Sequence, residues 1–463
     1  MPTSGTFARP VIASLQLTRI LLAILSRIPP SLLVKVLRNQ WVVMSIGLSG
    51  GELFTSAWQL PVTLLSLIYS YKKHGRFYRN LSLAFTVTQL IMFLDSFRIR
   101  HQALKEVLGF QNAVRTLNQK PICSTIKKYD KIQPPGSSSL AFAIQGATGV
   151  FYKPWNVDHI RNDSVTYAYP HEIDAAGGEP IRKYMQLDII RKKNGYKNRP
   201  ILLYIHGGAW IMGDKEQRTM PICWHFASTE NWVVLNVNYR LAPKHKLREM
   251  VGDIKRAIRW AKENPHIHGG DPGFIAISGG SAGGHLCSLV ALTPNWPAFQ
   301  RGFENVDTSV QACLPIYPAI GQVRTNAHWK RWFLEAIVGI SERESKRVFQ
   351  MSLAEWVDPL TILCNMEMDM RRRLLPPFFV VQGDMDNVVL PPLVRTFVSE
   401  LSKENIIPVG YLEVPHAVHA FDIAFSPKVM FVCWAAGNAL EAIYEAWWEK
   451  KRKLVQDTVD VTK

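Results

Sequence analysis

Residues 274–284, FIAISGGSAGG, decide what kind of fold this chain adopts. The apolar run at their start predicts a strand, and the apolar residues 285–291 that follow them predict a helix. Between the two, the glycines around Ser281 form a G-x-S-x-G pattern, which is typical of a sharp turn that holds a serine hydroxyl exposed at its tip. Because a serine in water is a poor nucleophile, such a turn predicts chemistry only where a base can reach the hydroxyl.

The sequence around this turn alternates between strands and helices. From about residue 165, short β-branched runs are separated by helical ones, which predicts a mainly parallel central sheet with helices on both faces. We expect strands at residues 185–190, 201–205, 232–237, 274–278, 310–316, 378–381 and 410–414. We expect helices at residues 250–263, directly after Ser281, at 393–403 and from 426 to about 450. Glu441, Glu445 and Glu449 lie at helical spacing, so the last helix should be amphipathic and pack against the sheet.

A glycine-rich turn after an earlier predicted strand supplies candidate donors for an oxyanion. The sequence HGGA at 206–209 directly follows that strand. Glycines at such a turn let the backbone approach a bound carbonyl oxygen and leave N–H groups free to point at it. We assign this role to Gly207 and Gly208, together with the N–H of Ala282 immediately after the serine.

The acid and the base follow later strands, and each has a rival nearby. Asp386 and Asp384 both follow a predicted strand, and Asp386 is favoured because it stands in a G-x-x-D-x-x-V pattern. His419 and His416 both follow the last predicted strand, and His419 is favoured because it begins a His-x-Phe pattern. In this hypothesis His419 removes the proton of Ser281 and Asp386 holds the imidazole tautomer. Asp384 and His416 stay open as alternatives.

The chain order of serine, aspartate and histidine is that of the α/β-hydrolase triad, and the motifs resemble one family of that fold. The sequences HGG at 206–208, NYRLAP at 238–243, GSAGG at 280–284 and HAF at 419–421 are similar to those of the hormone-sensitive-lipase-like carboxylesterases and lipases. Residues 269–295 resemble the membrane-associated mycobacterial esterases in particular. The resemblance covers about residues 150–450. It implies a serine hydrolase that cleaves lipophilic carboxylic esters through an acyl-enzyme on Ser281, without a metal or an organic cofactor.

Two residues depart from the family pattern. Ala209 stands where a third glycine is usual, and Gly280 stands where an aspartate usually precedes the serine. Ala209 keeps its N–H, so the departures bear mainly on the shape of the acyl pocket. An amidase or a methylesterase with the same triad, such as one acting on prenylated cysteine methyl esters, is the alternative enzyme. A non-catalytic binding domain of the same fold is disfavoured, because such domains typically lose the serine or the histidine.

The chain divides into parts of different composition. Residues 1–131 are predicted to be an N-terminal helical membrane-anchoring region, and residues 132–150 a linker that is rich in proline, glycine and serine. The catalytic domain is expected at 151–452, and a polar tail at 453–463. Within the catalytic domain, residues 318–373 interrupt the strand pattern and are rich in aromatic side chains, which indicates either a lid or acyl pocket, or ordinary core.

Charge and apolar runs predict that the N-terminal part associates with a membrane. Through residue 135 there are 17 basic and 4 acidic residues, a net charge of +13, whereas the rest carries 37 and 33, or +4. The basic residues accompany apolar regions at 11–28, 41–71 and 81–97, which favours anionic lipid over nucleic acid as the partner. Basic residues flank the last region on both sides, so the side of the membrane stays open. We expect deletion of residues 1–130 to release a soluble, active enzyme.

Other features of the sequence leave questions open. The 6 cysteines are scattered without a C-x-x-C pattern, so the sequence indicates neither a zinc site nor a small disulfide scaffold. Most should be buried thiols, and one or two disulfides stay open. Asn162 begins a glycosylation sequon that matters only in a luminal or extracellular compartment. The sequence leaves the oligomeric state undetermined.

Overall fold

A computed structural model describes residues 99–117, 159–193, 198–216, 221–321, 327–349, 356–423 and 426–461, together with residues 21, 80, 83–88 and 90–91. In this part of the chain, eight strands form one sheet in the order β1-β2-β4-β3-β5-β6-β7-β8. The strands are β1 (His159–Thr166), β2 (Gln186–Lys192), β3 (Arg199–Ile205), β4 (Val233–Val237), β5 (Gly270–Gly280), β6 (Ala312–Ile316), β7 (Phe378–Gly383) and β8 (Val409–Val414). Strand β2 pairs antiparallel with β1 and β4, and all other neighbouring strands run parallel.

Helices connect the strands and cover both faces of the sheet. In chain order they are α1 (Ile99–Leu117), α2 (Pro170–Ala176), α3 (Glu179–Arg182), α4 (Pro221–His225), α5 (Leu247–Glu263), α6 (Pro265–His268), α7 (Ala282–Leu292), α8 (Ala327–Trp332), α9 (Glu342–Phe349), α10 (Pro359–Asn365), α11 (Met368–Leu374), α12 (Pro391–Leu401) and α13 (Pro427–Val461). Helices α4 and α8 continue directly into π-helical turns at Phe226–Glu230 and Phe333–Val338.

The sheet separates two apolar layers, as the alternation of side chains along β3 shows. Ile201, Leu203 and Ile205 belong to one layer, and Leu202 and Tyr204 belong to the other. The first layer includes α5 and α7, and the second includes α1 and α13. A strand that is buried on both faces has a continuous apolar sequence, which is why β3 was predictable. Because β3 to β8 run parallel, their carboxyl ends meet at one edge, and the candidate site residues follow these ends.

All seven predicted strands are present, with ends that differ by a few residues. The strand that the prediction missed is β1, whose sequence HIRNDSVT is mostly polar because it pairs only with β2 at the edge of the sheet. The predicted insertion at 318–373 lies between β6 and β7, and its described residues form α8 to α11. Within it, Phe333 and Trp356 are buried in the first layer, which agrees with the alternative of ordinary core for these two side chains.

The last helix is longer than predicted, and one of its glutamates is half-buried. Helix α13 packs on the sheet as expected but runs to Val461, so most of the predicted polar tail at 453–463 is helical. The carboxylate of Glu441 accepts a hydrogen bond from Trp232 Nε1 at 2.8 Å and pairs with Arg199 at 3.3 Å. Glu441 is therefore half-buried, because the buried Trp232 next to β4 and the half-buried Arg199 on β3 replace part of the solvent around it.

Helix α1 belongs to the same core as the sheet. Its buried side chains include Val107, Phe110 and Val114, which lie in the second layer with α13. The ring of Phe110 meets that of Phe379 on β7 edge to face, with centroids 5.3 Å apart. The predicted boundary at residues 131 and 132 thus does not coincide with the edge of the core, since a helix from the predicted anchoring region is part of it.

Among the described residues, no helix combines the length and the apolar character that crossing a bilayer requires. Apart from residue 21, the apolar regions predicted at 11–28 and 41–71 lie outside the described residues, as do about half of 81–97 and the linker predicted at 132–150. Membrane association therefore stays a prediction.

Candidate active site

The candidate nucleophile stands at a strained turn. Ser281 lies between the end of β5 and the start of α7, with φ of 56°, a left-handed value that is uncommon for a residue with a side chain. Its N–H donates to the carbonyl oxygen of Ile316 at the end of β6, which fixes the turn to the neighbouring strand. Two residues later, a Cβ on Gly283 would lie 2.1 Å from the carbonyl oxygen of Ile205, so only glycine permits α7 to approach β3 this closely.

Ser281, His419 and Asp386, the three side chains that the sequence predicts for proton transfer, lie in one hydrogen-bonded row. His419 Nε2 lies 2.8 Å from Ser281 Oγ, and His419 Nδ1 lies 2.8 Å from Asp386 Oδ2. Ser281 is partly exposed, whereas His419 and Asp386 are buried. This arrangement requires a proton on Nδ1 facing the carboxylate, which leaves Nε2 as an acceptor for the serine proton.

Asp386 is held by the backbone of its own loop. Its Oδ1 accepts hydrogen bonds from the N–H groups of Val388 and Val389, at 2.9 and 2.8 Å. Its Oδ2, which faces His419, also accepts a longer bond of 3.3 Å from Gln382 Nε2. Donors therefore surround both oxygens of this buried carboxylate, which fixes its orientation.

The two rival residues are placed elsewhere. Asp384 is exposed, and its carboxylate accepts a hydrogen bond from the backbone N–H of His416. His416 itself has a left-handed φ of 52° at the tip of the loop after β8. In the described part of the chain, His419 is the histidine that bonds to Ser281 Oγ, and Asp386 is the aspartate that bonds to the ring of His419. Asp384 and His416 bond to each other instead.

The turn after β3 lies directly against the nucleophile. A Cβ on Gly207 would lie 3.4 Å from Ser281 Cβ and 2.9 Å from the carbonyl oxygen of Gly280, so this glycine allows the two turns to touch. Gly208 has φ of 118°, and a Cβ there would lie 2.1 Å from the carbonyl oxygen of Met212. Ala209 and the next residue also have left-handed φ values, of 51° and 61°. The backbone of Gly207 and the N–H of Ala282 are therefore close to Ser281, on separate turns.

His206 shapes this turn in its neutral form. Burial lowers the pKa of His206 to about 4, so the ring is uncharged at neutral pH. Its Nδ1 lies 2.8 Å from the carbonyl oxygen of Gly207, and the ring stacks on Tyr239 with centroids 4.4 Å apart. The hydroxyl of Tyr239 donates to the carbonyl oxygen of His206 at 3.0 Å. Tyr239 thus anchors the turn from the strand end after β4.

Among the described residues, no group of three or more histidine, cysteine, aspartate or glutamate side chains is arranged to hold a metal ion. His285 on α7 is occupied structurally: its Nε2 lies 2.8 Å from the carbonyl oxygen of Val357, and burial lowers its pKa to about 4.

Three comparisons with known proteins give the relatives of this chain. The family model BD-FAE matches residues 187–401, a range that includes Ser281 and Asp386 and ends before His419. The "Probable carboxylic ester hydrolase LipM" of Mycobacterium tuberculosis is 36% identical over 60% of this chain and 62% of its own length. "Esterase LipQ" of the same organism is 35% identical over 56% and 59%. Over these matched ranges the chain is similar in sequence to carboxylic ester hydrolases.

The fold of this chain is also that of a solved enzyme. The crystal structure of Esterase B from Lactobacillus rhamnosis matches with a TM-score of 0.51 and 19% identity, over 68% of this chain and 94% of that chain. At this identity the likeness shows the fold alone. The match with each of the two mycobacterial relatives spans less than two thirds of the relative's length.

Sequence reasoning missed three residues that support the candidate site. Tyr239 was quoted within NYRLAP without a role, and the structure shows that it anchors the turn at 206–209. Gln382 donates to Asp386 and to the carbonyl oxygen of Val389, at 3.3 and 2.9 Å, and so closes the acid's loop. Tyr317 lies edge-on to His419 at a centroid distance of 4.9 Å. Their position at strand ends was the available signal, but their partners are distant in sequence.

Proposed function

We propose that this α/β-hydrolase cleaves carboxylic esters through a covalent acyl-enzyme on Ser281. The observation that carries the proposal is the row of hydrogen bonds from Ser281 Oγ through His419 to Asp386, with both distances at 2.8 Å. The choice of esters rests on the curated relatives, whose names describe ester hydrolysis.

The reaction follows from the positions of these atoms. His419 Nε2 takes the proton of Ser281 as Oγ forms a bond to the carbonyl carbon, and the carbonyl oxygen gains the negative charge. N–H groups of Gly207, Gly208 and Ala282 donate to this oxygen. The intermediate then expels the alcohol, which receives the proton from His419. Water, activated by the same imidazole, attacks the acyl-enzyme and releases the acid.

Asp386 acts on the imidazole throughout this cycle. Its ionised carboxylate holds the proton on Nδ1 and stabilises the imidazolium that forms when Nε2 is protonated. Because backbone N–H groups fix Oδ1, the carboxylate keeps its orientation without help from the substrate. The imidazole is therefore oriented for catalysis before a substrate binds.

We extend the proposal to location and substrate class. The net charge of +13 in the first 135 residues and the apolar regions at 11–28, 41–71 and 81–97 support membrane association of the N-terminal part. An enzyme held at a bilayer meets lipophilic esters, which partition there.

Covalent labelling tests the nucleophile. We expect a fluorophosphonate probe to label the wild-type protein and not Ser281→Ala. Ser288→Ala is the matched control, since Ser288 lies on the same helix α7 with a buried hydroxyl that donates to the carbonyl oxygen of Gly284 at 2.8 Å. Labelling of Ser281→Ala at the wild-type rate would refute the assignment.

Substrate comparison tests the bond that is cleaved. We expect hydrolysis of p-nitrophenyl acyl esters of graded chain length and far slower hydrolysis of the matching anilides. Faster cleavage of the anilides would replace the ester proposal with that of an amidase on the same triad.

A further inference from the structure

Gly280, the residue before the nucleophile, leaves space that an aromatic side chain fills. A Cβ on Gly280 would lie 2.7 Å from Tyr317 Oη and 3.0 to 3.1 Å from the adjacent ring carbons. Any larger residue at this position would therefore have to displace the tyrosine. Glycine stands here where an aspartate is usual before the serine, and the ring of Tyr317, directly after the neighbouring strand, fills the space.

Tyr317 is fixed in this space by its backbone as well as its ring. It directly follows β6, its N–H donates to the carbonyl oxygen of Val381 at 2.6 Å, and its φ is 34°. A left-handed value is unfavourable for a residue with a Cβ and persists only where the surroundings impose it. The ring is buried and stands edge-on to His419, with centroids 4.9 Å apart and planes at 62°. It therefore forms one wall of the imidazole's site.

A second buried carboxylate holds the far end of this ring. The hydroxyl of Tyr317 donates a short hydrogen bond to Asp422 Oδ1. Asp422 is buried and lies three residues after His419, on the same loop. Phe421, between them, meets the tyrosine ring at a centroid distance of 5.7 Å. The bond thus ties the end of β6 to the segment that carries the base.

We propose that Tyr317 and Asp422 are positioning residues for His419, and that Gly280 is required because it leaves room for them. The proposal rests on the proposed function, in which His419 is the base. In this arrangement Asp386 orients the imidazole through Nδ1, while the Tyr317 ring limits its tilt and the hydroxyl bond to Asp422 keeps the ring in place. The two carboxylates thereby act on one imidazole from different directions, one by contact and one through an intervening ring.

Three variants test this role, with kcat measured per site that a fluorophosphonate labels. Tyr317→Phe keeps the ring and loses the bond to Asp422, so we expect kcat about tenfold lower with KM within about twofold of wild type. Asp422→Leu should resemble it. Asp422→Asn keeps an oxygen that accepts the hydrogen bond from the Tyr317 hydroxyl, so we expect kcat to stay within about threefold of wild type.

A matched tyrosine gives the control. Tyr411 on β8 donates to Glu413 at 2.6 Å, outside the candidate active site, and Tyr411→Phe should leave kcat unchanged. A kcat within twofold of wild type for Tyr317→Phe would overturn the proposal, as would equal losses in Asp422→Asn and Asp422→Leu. If Tyr317→Phe does not fold, the comparison of Asp422→Asn with Asp422→Leu tests the proposal in its place. Absence of labelling in the wild type would instead contradict the proposed function.

A double variant tests the claim about Gly280. Gly280→Ala should lower kcat by at least tenfold, because the added Cβ collides with the tyrosine hydroxyl. Removing that hydroxyl relieves the closest contact, so Gly280→Ala combined with Tyr317→Phe should lose less than the product of the two single losses. Independent, multiplicative losses would show that Gly280 and Tyr317 do not act on each other.

Discussion

At the scale of single residues, both carboxylate oxygens of Asp386 accept hydrogen bonds that the site depends on. Oδ1 accepts from two backbone N–H groups, and Oδ2 accepts from His419. An asparagine would have to turn its NH₂ group toward donors on one side, which breaks either the loop or the imidazole tautomer. We expect Asp386→Asn to lower kcat by about 10³ to 10⁴-fold with little change in KM, as measured with a p-nitrophenyl ester.

The rival carboxylate supplies the control for this prediction. Asp384 is two residues away on the same loop and exposed, so Asp384→Asn should keep kcat within about twofold of wild type. Equal losses in the two variants would mean that the loop as a whole, and not the oriented carboxylate, is what the reaction needs.

Glu172 on α2 links pH to stability. Burial raises its pKa, but bonds from Arg259 and Tyr169 and the charge of Arg256 outweigh this and bring the pKa to about 2. The folded-state pKa lies below the ordinary value of 4.5, so the stabilisation is present above pH 4.5 and is lost as the pH falls toward 2. We expect Glu172→Gln to lower the free energy of unfolding by about 2 kcal/mol at pH 7 and by much less near pH 2.5.

Urea unfolding at the two pH values measures this difference. Glu179→Gln is the control, because Glu179 pairs with Arg182 in solvent, with 74% of its side chain exposed, and should change stability little at either pH. A Glu172→Gln variant that is destabilised equally at both pH values would show that packing, not charge, is what the carboxylate provides.

At the scale of elements, the sequence predicts what is local and misses what depends on a distant partner. Strand β5, the turn at Ser281 and helix α7 are contiguous, and their apolar periods and glycines identify them directly. Strand β1 is polar and exists because β2 pairs with it, so its own residues carry little signal. The loops of Asp386 and His419 were predictable from their patterns, whereas Tyr317 becomes part of the site only through contacts with residues about 100 positions later.

Helix α1 is the element whose role the sequence concealed. It lies within the region 1–131 that the sequence predicts to be membrane-anchoring, and only the folded core shows that Phe110 packs on Phe379. We expect Phe110→Ala to lower the free energy of unfolding by about 3 kcal/mol or more, since it removes a buried aromatic ring. Leu108→Ala, two residues away on the same helix with 42% exposure, should cost less than about 1 kcal/mol. Urea unfolding that gives similar losses for both would contradict the packing of α1 on the sheet.

At the scale of the whole molecule, the point at which the N-terminal part can be removed follows from α1. A cut after residue 130 deletes this helix and exposes the apolar surfaces of β7, β8 and α13 that it covers, whereas a cut after residue 98 retains it. We expect the chain from residue 99 to hydrolyse p-nitrophenyl butyrate with wild-type kcat and to remain in the supernatant when anionic liposomes are pelleted. The full chain should sediment with the liposomes if residues 1–98 associate with membranes.

The chain from residue 131, measured beside them, should aggregate or melt several degrees lower. A soluble, active enzyme is therefore expected from a cut after residue 98, and not from the cut after residue 130 that the sequence suggested. Equal melting temperatures and activities for the two shortened chains would show that α1 is dispensable to the core. Co-sedimentation of the chain from residue 99 with the liposomes would show that residues after 98 bind the membrane.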